Sequence, residues 1–152
     1  VLKVHGVSNA DLGFSLHQWR TAVLSVVPMT ATLSIISIVY LILNGSRYSP
    51  TETIYFYLFY IFVSCPAQEL LFRSALCVLL QPLGLTLRIE ALVAASLFGF
   101  VHVIYKDPLT VAAMVIVGFF WYHLYLRTRN LIGVIISHIT LGILTIALGL
   151  VN

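Results

Sequence analysis

An all-α polytopic transmembrane bundle of about five to six helices is the fold class this sequence predicts, and three observations carry it. The 152 residues are 61% hydrophobic and only 9% charged, with a mean hydropathy of +1.05. A water-soluble domain of this size needs far more polar surface than that. The apolar residues gather into runs of roughly 20, the length that crosses a bilayer as a helix. Short stretches with turn and cap chemistry separate the runs: Asn44-Gly45, Pro82-Leu83-Gly84, Lys106-Asp107-Pro108 and Arg127-Thr128-Arg129-Asn130.

Residues 1–20 mix polar and apolar types, with Asn9, Asp11 and Ser15 as turn or cap candidates, and read as an interfacial lead-in. Residues 21–152 form the transmembrane domain. Its first span is expected from Thr21 to Leu43, with Pro28 near the entry, where a helix tolerates proline better than in its middle. Asn44-Gly45 ends it with a residue that accepts a left-handed conformation. Ser49-Pro50-Thr51-Glu52 predicts the next start: a serine cap, a proline at the first helical position and a glutamate closing the box. The helical stretch that follows, to Gln81, is too long for one untilted crossing. Pro66 is expected to kink or break it, with a hydrated pocket beside the freed backbone groups. Leu87 to Tyr105 and Leu109 to Leu126 give two more spans. In the second of these Trp121, Tyr122 and Tyr125 look like an interfacial belt, with His123 beside it. Leu131 to Val151 is the last.

The net charge of +3 is modest and the basic residues lie near span ends, so they read as topology signals. A nucleic-acid surface needs a basic stripe with interleaved aromatics, which is lacking here. The N-terminal side carries Lys3, Arg20, Arg88, Arg127 and Arg129, against Arg47 and Lys106 on the other. That bias places the N-terminal side in the cytoplasm of a multi-pass integral membrane protein. Cys65 and Cys77 would lie about 18 Å apart on one helix, beyond disulfide reach, and are expected as buried thiols. The chain begins at Val1 without an initiator methionine or a leader, and so reads as a segment of a longer protein.

Ionisable groups inside such spans are expensive in hydrocarbon and mark functional sites. Gln68, Glu69 and Arg73 fall within the second span, with Glu69 and Arg73 four apart on one helix face. His102 and His138 fall within the third and fifth spans. Five polar residues from three helices point to one shared pocket. A buried structural ion pair and two interhelical hydrogen-bonding histidines are the plainer reading of the same residues. Glu69, His102 and His138 also match the inventory of a divalent metal such as zinc, which often takes three N/O ligands. A histidine within a span can equally ligate haem or a pigment. His5 and His17 read as solvent-exposed.

The order of these residues resembles the CPBP family, the membrane proteins that include CAAX prenyl-endopeptidases and bacteriocin-processing proteins. Gln68-Glu69-Leu70-Leu71-Phe72-Arg73 resembles its Glu-Glu-x-x-x-Arg motif. Phe98 to His102 resembles Phe-x-x-x-His, and His138 resembles the histidine of His-x-x-x-Asn/Asp. Asp11-Leu12-Gly13-Phe14 is similar to the family's entry to the first span. The resemblance covers residues 11 to 142. It implies an intramembrane endopeptidase core in which the first glutamate and the second-motif histidine activate a water. The third-motif histidine and its asparagine would stabilise the oxyanion. Whether a metal takes part is left open by the resemblance.

Two positions depart from that pattern. Position 68 is Gln, and an amide orients a water but cannot take its proton. Position 142 is Gly, which offers no side chain to an oxyanion. Glu69 remains, with Arg73 as a partner suited to holding the helix. The expectation is a CAAX-protease-like membrane protein, catalytically impaired, whose surroundings are the bilayer and whose partners are other membrane proteins or a membrane peptide. Activity is expected only after Gln68→Glu and Gly142→Asn together. An active endopeptidase using Glu69 or a metal, and a pigment- or haem-binding subunit of a membrane complex, are the two alternatives.

Overall fold

The computed structural model describes residues 12–13 and 18–151. Its elements are α1 (Trp19–Asn44), α2 (Ile54–Leu83), α3 (Leu87–Tyr105), α4 (Pro108–Thr128) and α5 (Leu131–Ala147). The described residues contain no strand. The first four helices are long and apolar enough to cross a membrane, and α5 has 17 residues, about 25 Å at 1.5 Å per residue. The chain is an all-α membrane bundle. Side chains such as Leu24, Ile42 and Leu43 are 69–76% exposed on α1, which is where lipid takes the place of water. The lead-in expected over residues 1–20 lies largely outside the described residues, as do Lys3, His5, Asn9, Asp11, Ser15 and His17. Trp19 and Arg20 already belong to α1.

The turn chemistry places most of the boundaries. Gly45 (φ 77°) closes α1, its N–H donating to the Leu41 carbonyl. Gly84 (φ 62°) closes α2. Asp107 caps α4 by accepting from Leu109 N, and Asn130 caps α5 by accepting from Ile132 N. The last helix stops at Ala147, short of the expected Val151.

α2 departs from expectation at both of its predicted landmarks. The helix begins at Ile54 after an extended Thr53 that makes no side-chain cap bond. The Glu52 carboxylate accepts instead from Thr51 N, so the capping box never closes. Pro66 does not break the helix either. Two π turns, Tyr60–Ser64 and Leu70–Ala75, bracket it, with Cys65 N–H bonded to Tyr60 O and Leu76 N–H to Leu71 O. A widened turn just ahead of proline gives its ring room and absorbs the missing donor while the helix runs on.

α3 packs most extensively on α4, and α1 on α5. At Gly133 the two backbones of the α1–α5 pair approach so closely that a Cβ would strike the Ala22 carbonyl, the close contact small residues permit between membrane helices. Trp121, Tyr122 and Tyr125 are not an interfacial belt. They are 2%, 0% and 0% exposed and form the core with Phe98, Leu131 and Val134. Two of the three find polar partners there. Trp121 Nε1 donates to Ser137 Oγ at 2.9 Å and the Tyr122 hydroxyl to Glu90 at 3.4 Å. His123 is half-buried, its Nδ1 2.9 Å from the carbonyl of Phe119 on its own helix. Cys65 and Cys77 are free, buried thiols.

One membrane face is tied by a polar clasp. Arg47 Nη1 and Nη2 donate to the two Asp107 oxygens at 2.8 and 2.9 Å, and Nη1 also reaches the Leu150 carbonyl at 3.2 Å. The N–H groups of Arg47 and Tyr48 both donate to the carbonyl of Gly149 (φ 64°), where a Cβ would collide with Tyr48 O. The loop after α1, the α3–α4 turn and the end of α5 thus meet on that face. Hydrogen bonds from Arg47 and then Thr110 hold the Asp107 carboxyl well below the usual carboxylate range. A depressed folded-state pKa contributes stability that is present above the unfolded value near 3.9 and is lost as pH falls through the folded one. Thermal unfolding in detergent from pH 7 to pH 3 is therefore expected to show a constant gap between the native protein and Asp107→Asn at higher pH. That gap narrows below about pH 4; a gap unchanged at pH 3 contradicts the clasp.

Candidate functional site

A cavity of about 540 Å³ lies between the helices, and Gln68 of α2, His102 of α3 and His138 of α5 all line it. The other two residues singled out by sequence, Glu69 and Arg73, stand behind that lining, 0% and 1% exposed. Glu69 joins two helices. Its Oε1 accepts from His138 Nδ1 at 2.7 Å, and its Oε2 lies 2.9 Å from Arg73 Nε. The Arg73 contact is coulombic, because the two groups are not aligned as a hydrogen bond. Nη1 and Nη2 of Arg73 find no acceptor and are covered instead by aromatic faces, the guanidinium carbon lying 4.2 Å from the Phe98 centroid and 5.3 Å from that of Trp121. Ring quadrupoles stabilise a desolvated cation in this way.

Phe98 is the hub of the cluster. Fully buried, it stands 4.8 Å from His102, 5.6 Å from His138 and 5.4 Å from Phe72, measured between ring centroids. His102 Nδ1 is 2.7 Å from the carbonyl of Phe98, one turn back on its own helix. A carbonyl only accepts, so Nδ1 carries the proton and Nε2 keeps its lone pair. The same logic at the Glu69 carboxylate puts a proton on His138 Nδ1. Gln68 Nε2 donates to Ser64 Oγ at 2.9 Å, and its Oε1 has no partner.

Behind His138 a hydroxyl relay that was not foreseen from sequence links three helices. Trp121 Nε1 donates to Ser137 Oγ, which lies 2.7 Å from Thr30 Oγ1. Thr30 gives its own proton to the Val26 carbonyl, so Ser137 is the donor between the two hydroxyls. Tyr60 was missed as well. Its phenol covers Gly142, and its ring stands edge-on to His138 with centroids 5.9 Å apart. The signals were faint: a serine next to a histidine, and a tyrosine six residues before a proline.

Glu69, His102 and His138 do not fit a metal. Both oxygens of Glu69 are engaged by His138 and Arg73. No group of three or more His, Cys, Asp or Glu among the described residues is placed to hold an ion. What the cavity does present is an apolar space with the side chains of His102, His138 and Gln68 in its lining.

A family model described as "Type II CAAX prenyl endopeptidase Rce1-like" matches residues 50–144, well over half of the chain. The matched stretch begins before α2 and ends within α5, so it holds every residue of the cluster. No curated protein and no solved structure matches.

Proposed function

Because the chain belongs to the Rce1-like family of type II CAAX prenyl endopeptidases, we propose that it is a catalytically impaired member, which holds a membrane peptide in the chamber beside α2, α3 and α5 without cleaving it. The observation that carries this reading is the state of the two acidic-motif positions. Gln68, which faces the chamber, is an amide tied to Ser64. Glu69, the carboxylate next to it, is consumed by Arg73 and His138. Water activation then falls to His102 or His138, and loss of a positioned carboxylate base lowers such a rate on the order of 10²–10⁴-fold. The chamber itself is kept, with apolar walls such as Leu33, Met114 and Val117 suited to a lipid-soluble ligand.

The arginine-rich ends, with Arg20, Arg88, Arg127 and Arg129, belong on the cytoplasmic face by the positive-inside bias. The Arg47–Glu52 end of the cavity then opens toward the opposite face. One feature favours slow turnover as a second reading: His102 lines the cavity with its Nδ1 committed to the Phe98 carbonyl. A single experiment separates the two. A fluorescent farnesylated C-terminal peptide is incubated with the protein in vesicles, and bound and cleaved peptide are measured together. Saturable binding with intact peptide is expected. Cleavage by the unaltered protein, or failure to bind at all, contradicts the proposal.

A further inference from the structure

We propose that the Tyr60 hydroxyl is the hydrogen-bond donor that the chamber turns toward a carbonyl oxygen of its peptide, in the space a side chain at position 142 would fill. This rests on the chamber holding a peptide, as proposed above. Gly142 follows His138 by four residues and so lies one turn along the same face of α5. A Cβ at 142 would coincide with the Tyr60 hydroxyl and stand 2.5 Å from Cζ and 2.8 Å from Cε1. α5 therefore carries a notch beside His138, and α2 fills it with a phenol. The ring is held in place by a parallel stack on Phe56, with centroids 6.0 Å apart, and by its edge contact with His138. Tyr60, Gly142, Gln68, His102 and His138 share the cavity wall.

The polar inventory of that wall says what the hydroxyl is for. Both histidines commit Nδ1–H to protein acceptors, which makes Nε2 an acceptor in the neutral rings. A carbonyl oxygen needs a donor, and beside His138 the donor is the Tyr60 O–H. Its polar neighbour on α2 is the Cys65 thiol, too weak an acceptor to hold it from a ligand.

The test measures dissociation constants for two probes, a farnesylated peptide and its analogue with the scissile amide replaced by a phosphinate. The unaltered protein is compared with Tyr60→Phe, which keeps the ring and its packing. A hydrogen bond to a charged acceptor exceeds one to a neutral acceptor, so phosphinate binding is expected to weaken on the order of 10- to 100-fold and amide binding by less than about tenfold. Equal losses for the two probes, no loss, or no phosphinate binding by the unaltered protein overturns the proposal. As a check on the shared space, Tyr60→Ala combined with Gly142→Asn is expected to recover phosphinate affinity lost in Tyr60→Ala alone; no recovery also overturns it. Cleavage by the unaltered protein sinks the impaired reading alone. The donor role then shows as a fall in kcat at nearly constant KM in Tyr60→Phe, and unchanged kcat overturns it.

Discussion

Arg73→Ala is expected to lower the stability of the bundle by about 3–5 kcal/mol, the usual consequence of removing one partner from a buried ion pair. Both members are sealed from solvent, Glu69 at 0% and Arg73 at 1% exposure. Without the guanidinium, the Glu69 charge keeps His138 as its one polar contact, and the contact between α2 and α5 is left carrying an uncompensated anion. Glu69→Gln is expected to be similarly severe, because it leaves the Arg73 cation inside the protein while its Nη atoms already lack acceptors. Arg73→Lys should recover only part of the loss: an ammonium keeps the charge but not the planar stacking on Phe98 and Trp121. The double change Glu69→Leu with Arg73→Met should be milder than the sum of its parts, since it removes both charges at once. Unfolding midpoints in detergent, followed by circular dichroism, give these values directly. A loss under about 1 kcal/mol for Arg73→Ala, the size of an exposed pair, contradicts the buried-pair account.

Most turns and caps were legible in the sequence; the Ser49–Glu52 box was the exception, because Glu52 accepts from Thr51 N instead. Gly45, Gly84, Asp107 and Asn130 place helix ends because turn and cap geometry is settled within four or five residues. The coming together of α2, α3 and α5 was legible for a different reason: charged and imidazole side chains far from any water-facing stretch must find one another. The other failures turn on geometry that residue type alone does not carry. The aromatic run at Trp121, Tyr122 and Tyr125 has the composition of a membrane-interface belt, yet Ser137 and Glu90 on other helices supply partners that draw two of these side chains inward. Pro66 carries the chemistry of a helix breaker, but a π turn ending at Ser64 accommodates it. Tyr60 could not be assigned from sequence, since its place follows from the missing side chain at Gly142, 82 residues away. That same notch alters the expectation that two restorations are needed together. An asparagine at 142 collides with the Tyr60 ring, whereas a donor is already present there.

Gln68→Glu alone is therefore expected to raise peptide cleavage on the order of 10²–10⁴-fold, the span a positioned general base supplies. The substitution is nearly isosteric and puts a carboxylate on a side chain that lines the chamber. A carboxylate there can take a proton from a water that His102 Nε2 also orients, while Glu69, Arg73 and His138 keep their present contacts. The most direct measurement compares initial rates of farnesylated-peptide cleavage by the unaltered protein and by Gln68→Glu in the same vesicles. No detectable product is expected from the first, product from the second, and loss of that product when His102→Ala is added. Equal rates from the two proteins, or product from the unaltered chain, would contradict this expectation.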